Sequence, residues 1–312
     1  MDLIDRLLGR KRRTPESGAV TVDLFDEEFL RKLSTLALMS RRAVSGFRRG
    51  ERRSKKRGSG VEFADHRAYV AGDDIRFLDV GVYQRFGKLL LRLFEVEEDL
   101  SIYFLIDTSL SMATQGSAKL NQAVQVAAAL AYVGLSGLDR VSVTTLGEKV
   151  SGRLPPTRGK QRVFHVLKFL SQIKAEGRTQ LAPALKSFIA QNKRRGMAVL
   201  LSDLFDPEGF EAGINVLRFN KFDPVVLQLV DERDFDGRLT GDLRLVDIET
   251  GDSREVSMTP QVEKKLSLET ANRQRAIEKF CGSRGVPHSV VDVRKPFDEV
   301  VLSVLRAGGL LQ

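Results

Sequence analysis

Residues 100–111 read Leu100-Ser101-Ile102-Tyr103-Phe104-Leu105-Ile106-Asp107-Thr108-Ser109-Leu110-Ser111. From Leu100 to Ile106 the run is almost continuously apolar, as a strand buried on both faces should be. Asp107 ends it, and hydroxyl residues follow. Downstream, the alanine-rich stretch Leu120 to Leu138 reads as a helix and Val141 to Leu146 as a strand. Helices are predicted over 162–173, 181–194, 207–219, 261–280 and 297–305. Strands are predicted over 198–201, 225–230 and 289–293, with a hairpin of 243–248 and 254–256 around Thr250-Gly251-Asp252. Strands alternating with helices predict an α/β fold, a doubly wound and mostly parallel sheet flanked by helices. Ligands of such sheets bind at the carboxyl ends of the strands.

Upstream, Leu89 to Val96 reads as a further strand. Asp23 is placed to cap a helix running to about Ala43, with Phe25, Phe29, Leu33 and Leu36 at helical spacing and Arg41-Arg42 at its end. Gly46, Gly50, Gly58 and Gly60 then break the chain into a loop. Leu3, Ile4, Leu7 and Leu8 form a short apolar stripe in a leading segment. The organisation read from this is a helical and basic extension over 1–60, a joining segment over 61–97 packed on the domain, and the α/β domain over 98–312.

The charge follows those divisions. Residues 1–60 hold 16 Lys/Arg against 8 Asp/Glu, which accounts for +8 of the net +9. The densest part runs from Arg41 to Arg57. It suits phosphate-rich, acidic or anionic-surface partners, or a solvated loop. Phe47 is the only aromatic residue within it, so the stacking platform of single-strand binders is missing. The single Cys281 excludes an internal disulfide, and His66, His165 and His288 lie too far apart in sequence for a zinc pattern. No phosphate-loop sequence occurs. The N-terminus carries Asp2 and Asp5 and lacks a long apolar stretch, and Ala123 to Leu138 falls short of a membrane span, so a soluble cytoplasmic protein without a signal peptide is expected.

Asp107, Ser109 and Ser111 alternate, so an extended turn points all three to one side. A carboxylate and two hydroxyls are hard oxygen donors of the kind that suit Mg²⁺. The same residues also read as an Asx-turn leading into a helix. Gly177-Arg178-Thr179-Gln180-Leu181 sets a threonine hydroxyl before a helix, to cap it or to ligate a metal. Leu200-Leu201-Ser202-Asp203 ends another buried strand with a carboxylate. Together these segments supply two carboxylates and three hydroxyls at one rim.

These residues resemble the metal-ion-dependent adhesion site of the von Willebrand factor A superfamily. The resemblance covers about residues 98–312. It implies Ser109, Ser111 and Thr179 as direct ligands of Mg²⁺ (with Mn²⁺ or Ca²⁺ as alternatives) and Asp107 and Asp203 as a water-linked shell. Gly58-Ser59-Gly60-Val61-Glu62-Phe63, Arg67-x-Tyr69 and Gly72-Asp73-Asp74-Ile75-Arg76-x-x-Asp79 are similar to the bacterial family called domain of unknown function 58. That family usually has tryptophan where this chain has Val80. The residues themselves read as a turn at Gly72 braced by ion pairs among Asp73, Asp74, Asp79, Arg67 and Arg76.

A cation held by neutral hydroxyls stays electrophilic, and an open coordination position attracts a carboxylate. The resemblance therefore implies a non-enzymatic, metal-dependent protein-binding module. Its implied partner offers an acidic side chain, with a MoxR-type AAA ATPase as that partner and protein assembly or maturation as the setting. Two other readings stand beside it: nucleic-acid or anionic-surface binding through 41–57, and a Mg²⁺-dependent phosphoesterase built on Asp107 and Asp203.

Overall fold

The structure, a computed structural model, describes residues 18–47, 62–95, 100–235, 241–249 and 252–307. In chain order the elements are α1 (Glu27–Phe47), β1 (Glu62–Ala68), α2 (Val80–Phe86), β2 (Leu90–Glu95), β3 (Ser101–Asp107), α3 (Thr114–Ser136), β4 (Arg140–Leu146) and β5 (Val150–Arg158). There follow α4 (Val163–Ser171), α5 (Leu181–Gln191), β6 (Met197–Ser202), α6 (Phe210–Phe219), β7 (Asp223–Val230), β8 (Gly241–Val246), β9 (Ser253–Met258), α7 (Pro260–Ser283), β10 (His288–Asp292) and α8 (Phe297–Ala307).

Six strands form the central sheet in the order β10-β7-β6-β3-β4-β5. All pairings are parallel except β4 with the edge strand β5. Alternation along β3 divides the core. Phe104 and Ile106 face α1, α3, α4 and α8, while Tyr103 and Leu105 face α5, α6 and α7. Close approach is enforced at Gly196, just before β6, where an added Cβ would lie 2.1 Å from the Ser101 carbonyl oxygen. The chain leaves β3 towards β4 on one side, and leaves the adjacent β6 towards β7 on the other. The carboxyl ends of β3 and β6 therefore flank the topological switch point, where open α/β sheets form a crevice.

Several expectations require correction. Helix α1 is capped by Asp26, which accepts the Phe29 N–H at 3.2 Å. Asp23 instead accepts the Phe25 N–H in a turn before the helix. Gly46 does not break the helix, which continues to Phe47 and so carries Arg41 and Arg42 within it. Phe29, Leu33 and Leu36 are buried against α3 and α8, whereas Phe25 is exposed. The Phe29 and Phe297 rings lie 4.8 Å apart, and Lys32 Nζ stands 3.7 Å from an Asp298 carboxylate oxygen. Each of those apolar side chains contributes roughly 1.5–3 kcal/mol on burial, so α1 belongs to the core of the α/β unit. Strand β5 was not foreseen. Pro155 and Pro156 remove ladder donors, which an edge strand tolerates.

Strands β1 and β2 make a separate antiparallel pair. The brace around Gly72 forms largely as read. Gly72 takes φ +102° in a turn closed by Asp73 N–H to the Val70 carbonyl. Arg67 pairs with Asp73 at 2.7 Å and Arg76 with Asp74 at 2.6 Å. Asp79 is held by His66 at 2.9 Å and Arg92 at 3.3 Å. Val80, on the first turn of α2, is exposed. Leu3, Ile4, Leu7, Leu8 and the run from Arg48 to Arg57 lie outside the described residues, as do Gly50, Gly58 and Gly60. No helix among the described residues is long and apolar enough to cross a membrane.

Candidate functional site

Asp107 is the last residue of β3 and is 1% exposed. One carboxylate oxygen accepts the Ser109 N–H at 3.0 Å, which folds the chain into an Asx-turn. The other accepts the Ser202 hydroxyl of β6 at 2.5 Å. Ser109 keeps an extended backbone before a 3₁₀ turn over Leu110–Ala113, and its hydroxyl stands 3.0 Å from that of Ser111. Leu110 N–H bonds to the Gly177 carbonyl and Glu176 N–H to the Thr108 carbonyl, which brings the 176–179 loop alongside. The structure thus gathers Asp107, Ser109, Ser111, Thr179 and Asp203 at one edge of the sheet.

Thr179 is buried but does not cap α5. Asp206 takes the Leu181 N–H at 2.8 Å instead. The Thr179 hydroxyl donates to Glu249 Oε1 at 2.9 Å, and its backbone N–H donates to Glu249 Oε2 at 3.1 Å. Asp203, just past β6, is 1% exposed. Its carboxylate accepts Lys119 Nζ at 2.8 Å and the Phe205 N–H at 3.1 Å. The following residue, Leu204, is buried with φ +59°, a conformation costly for a side chain of this size. Its N–H bonds to Ser202 Oγ, and its carbonyl accepts Arg273 of α7 at 2.5 Å. Those two bonds hold the turn that aims Asp203 inward.

Burial is the main force on the titration of Asp107. It removes the carboxylate from water, the neighbouring Asp203 charge adds to the effect, and the pKa is pushed up to about 7. The Lys119 ammonium pairs with Asp203, while Asp107 is held by the Ser109 N–H and the Ser202 hydroxyl. The convergence of carboxylate and hydroxyl oxygens fits a hard divalent cation. Among the described residues no group of three or more His, Cys, Asp or Glu side chains is disposed to hold a metal. The oxygen set here owes as much to hydroxyls as to carboxylates. Beside Asp203 a cavity of about 840 Å³ runs along α7, lined among others by Phe205, Arg233, Glu263, Arg273 and Val290.

Lys119, Ser202, Asp206, Glu249 and Arg273 were missed by sequence reasoning. Lys119 carried a usable signal, because it is the sole charged residue of the long apolar helix α3. Glu249 carried none, since its partner lies 70 residues away. The histidines stand elsewhere. His66 bonds to Asp79, His288 to Gln228, and His165 is exposed on α4.

A family described as "Protein of unknown function DUF58" matches residues 65–276, more than half of the chain. An uncharacterized protein of Mycobacterium bovis and one of Mycobacterium tuberculosis are each 26% identical to it over 270 residues, 85% of either chain. Among solved structures, the fold is similar to the conserved hypothetical protein BatB from Bacteroides thetaiotaomicron, at 13% identity and a TM-score of 0.41 over 67% of this chain and 98% of that one. It is also similar to an aerotolerance-related membrane protein from Bacteroides fragilis, at 14% identity and a TM-score of 0.40 over the same shares.

Proposed function

This chain belongs to the DUF58 family, and from that premise we propose that it is a von Willebrand A-like, metal-dependent protein-binding module and not an enzyme. The observation that carries the reading is the pair of buried carboxylates, Asp107 and Asp203, set among hydroxyls at the switch point of the sheet, with Lys119 paired to Asp203. Ser109, Ser111 and Thr179 would hold Mg²⁺ through their hydroxyl oxygens, with Asp107 and Asp203 acting through water. The cation would supply a Lewis-acidic position for a carboxylate of another protein. The family resemblance suggests a MoxR-type AAA ATPase as that protein, in assembly or maturation of other proteins. Binding is favoured over turnover because Asp107 and Asp203 are buried and fixed by Ser109, Ser202, Lys119 and Phe205, and the three histidines stand elsewhere, so no imidazole is placed to share proton transfer.

The test is thermal unfolding with increasing Mg²⁺. A cation that binds only the native state adds about 2.7 kcal/mol at a hundredfold excess over its Kd. The Asp107→Ala variant should fold and lose most of that gain. Equal Mg²⁺-induced shifts in parent and variant would remove Asp107 from the site.

A further inference from the structure

We infer that Glu249 is a sixth residue of this site and fills, from within the same chain, the position at which a partner's carboxylate would bind. The inference rests on the metal-binding reading above and adds the occupant of its open position. Glu249 lies in the segment joining β8 and β9, a two-stranded sheet separate from the central one. It is fixed at four points. Its N–H donates to Asp247, its carbonyl accepts Arg178 Nε at 3.2 Å, and its two carboxylate oxygens accept the N–H and hydroxyl of Thr179. The hairpin therefore delivers one carboxylate to Thr179, the one proposed ligand hydroxyl that comes from outside the 107–111 loop.

The hydroxyl chemistry supports this placement. Thr179 Oγ1 spends its proton on Glu249 Oε1, so its lone pairs remain for a cation on the other side. Val246 and Ile248, beside Glu249, are exposed on the hairpin. A partner presenting its own Asp or Glu must displace Glu249, and the hairpin would swing with it.

Mn²⁺ serves as the probe, read by water-proton relaxation, with acetate as a free carboxylate. The parent chain should bind Mn²⁺ and give no response to acetate. Glu249→Ala and Glu249→Gln should each bind Mn²⁺ about tenfold or more weakly, show higher relaxation from an added water, and lose that increment on adding acetate. Gln keeps one acceptor oxygen for the Thr179 N–H, and its amide group can donate to the Thr179 hydroxyl once that hydroxyl turns, so a purely structural anchor would be rescued in that variant and a ligand would not. Parent-like Mn²⁺ affinity and relaxation in Glu249→Gln, with binding still dependent on Asp107, overturns this inference alone. Absence of Mn²⁺ binding by the parent chain overturns it together with the metal-binding reading.

Discussion

Replacing Lys119 with methionine isolates the electrostatics of the site. Methionine keeps an unbranched stem of similar bulk and drops the ammonium, so packing beneath α3 changes little. The lysine and Asp203 side chains are 3% and 0% exposed and meet at 2.8 Å. Removing one partner of such a buried pair leaves the other charge uncompensated, at a cost of about 3–5 kcal/mol. For a domain of this size the loss corresponds to a fall in Tm of roughly 6–20 °C. The assay is thermal unfolding at pH 7.5 in the presence of a chelator, on Lys119→Met, Asp203→Leu and the double variant. The double variant removes both charges and should recover much of the loss, with a coupling on the order of 2 kcal/mol or more. A fall in Tm below about 2 °C in Lys119→Met, or losses that simply add in the double variant, would refute the reasoning.

Three further outcomes are expected. Gly196→Ala should fail to fold or lose several kcal/mol, on the order of other backbone clashes, because its Cβ would meet the Ser101 carbonyl at 2.1 Å; wild-type urea denaturation would contradict this. Leu33→Ala in α1 should cost about 2–5 kcal/mol, and a chain lacking residues 1–60 should be less stable still, since the Phe29, Leu33 and Leu36 face would be lost. An unchanged denaturation midpoint in either would show that α1 is dispensable. His288, bonded to Gln228 at 3.0 Å, has its pKa lowered chiefly by burial, against the charge of Glu278. The unfolded chain then takes up a proton below about 6.5 while the folded chain does not, so stability falls as pH drops through that value. His288→Gln should flatten the stability profile between pH 7 and 5, and parallel profiles would exclude His288 as a source.

The legibility of the fold follows the distance over which its causes act. The central strands were readable because Tyr103 to Ile106 and Val199 to Leu201 must be apolar on both faces wherever they are placed. The edge strand β5 was not, since Pro155, Pro156 and a mostly exposed face carry no such requirement. Asp23 and Asp26 both suit a helix cap, and only the acid directly ahead of Glu27 satisfies the first turn. Gly46 costs about 1 kcal/mol relative to alanine in a helix, a sum too small to end α1. In the site, Asp107, Ser109 and Ser111 were visible as one local pattern. Lys119 and Glu249 join through contacts spanning 84 and 70 residues, and their roles depend on which strands become neighbours.

The strand order also bears on how the chain is assembled during synthesis. β3 is made first among the six strands. β4 and β5 then extend the sheet on one side, and β6, β7 and β10 extend it on the other. Each new strand emerging from the ribosome meets an edge already in place and never has to insert between two others. Helix α1 is the exception. It is complete before β3 exists, yet Phe29 finds its last cover in Phe297, near the end of the chain. At about 5–20 residues per second, that ring waits on the order of tens of seconds with its apolar face incompletely shielded. Packing of the α1 face is therefore completed only when Phe297 arrives, long after the helix itself has been made.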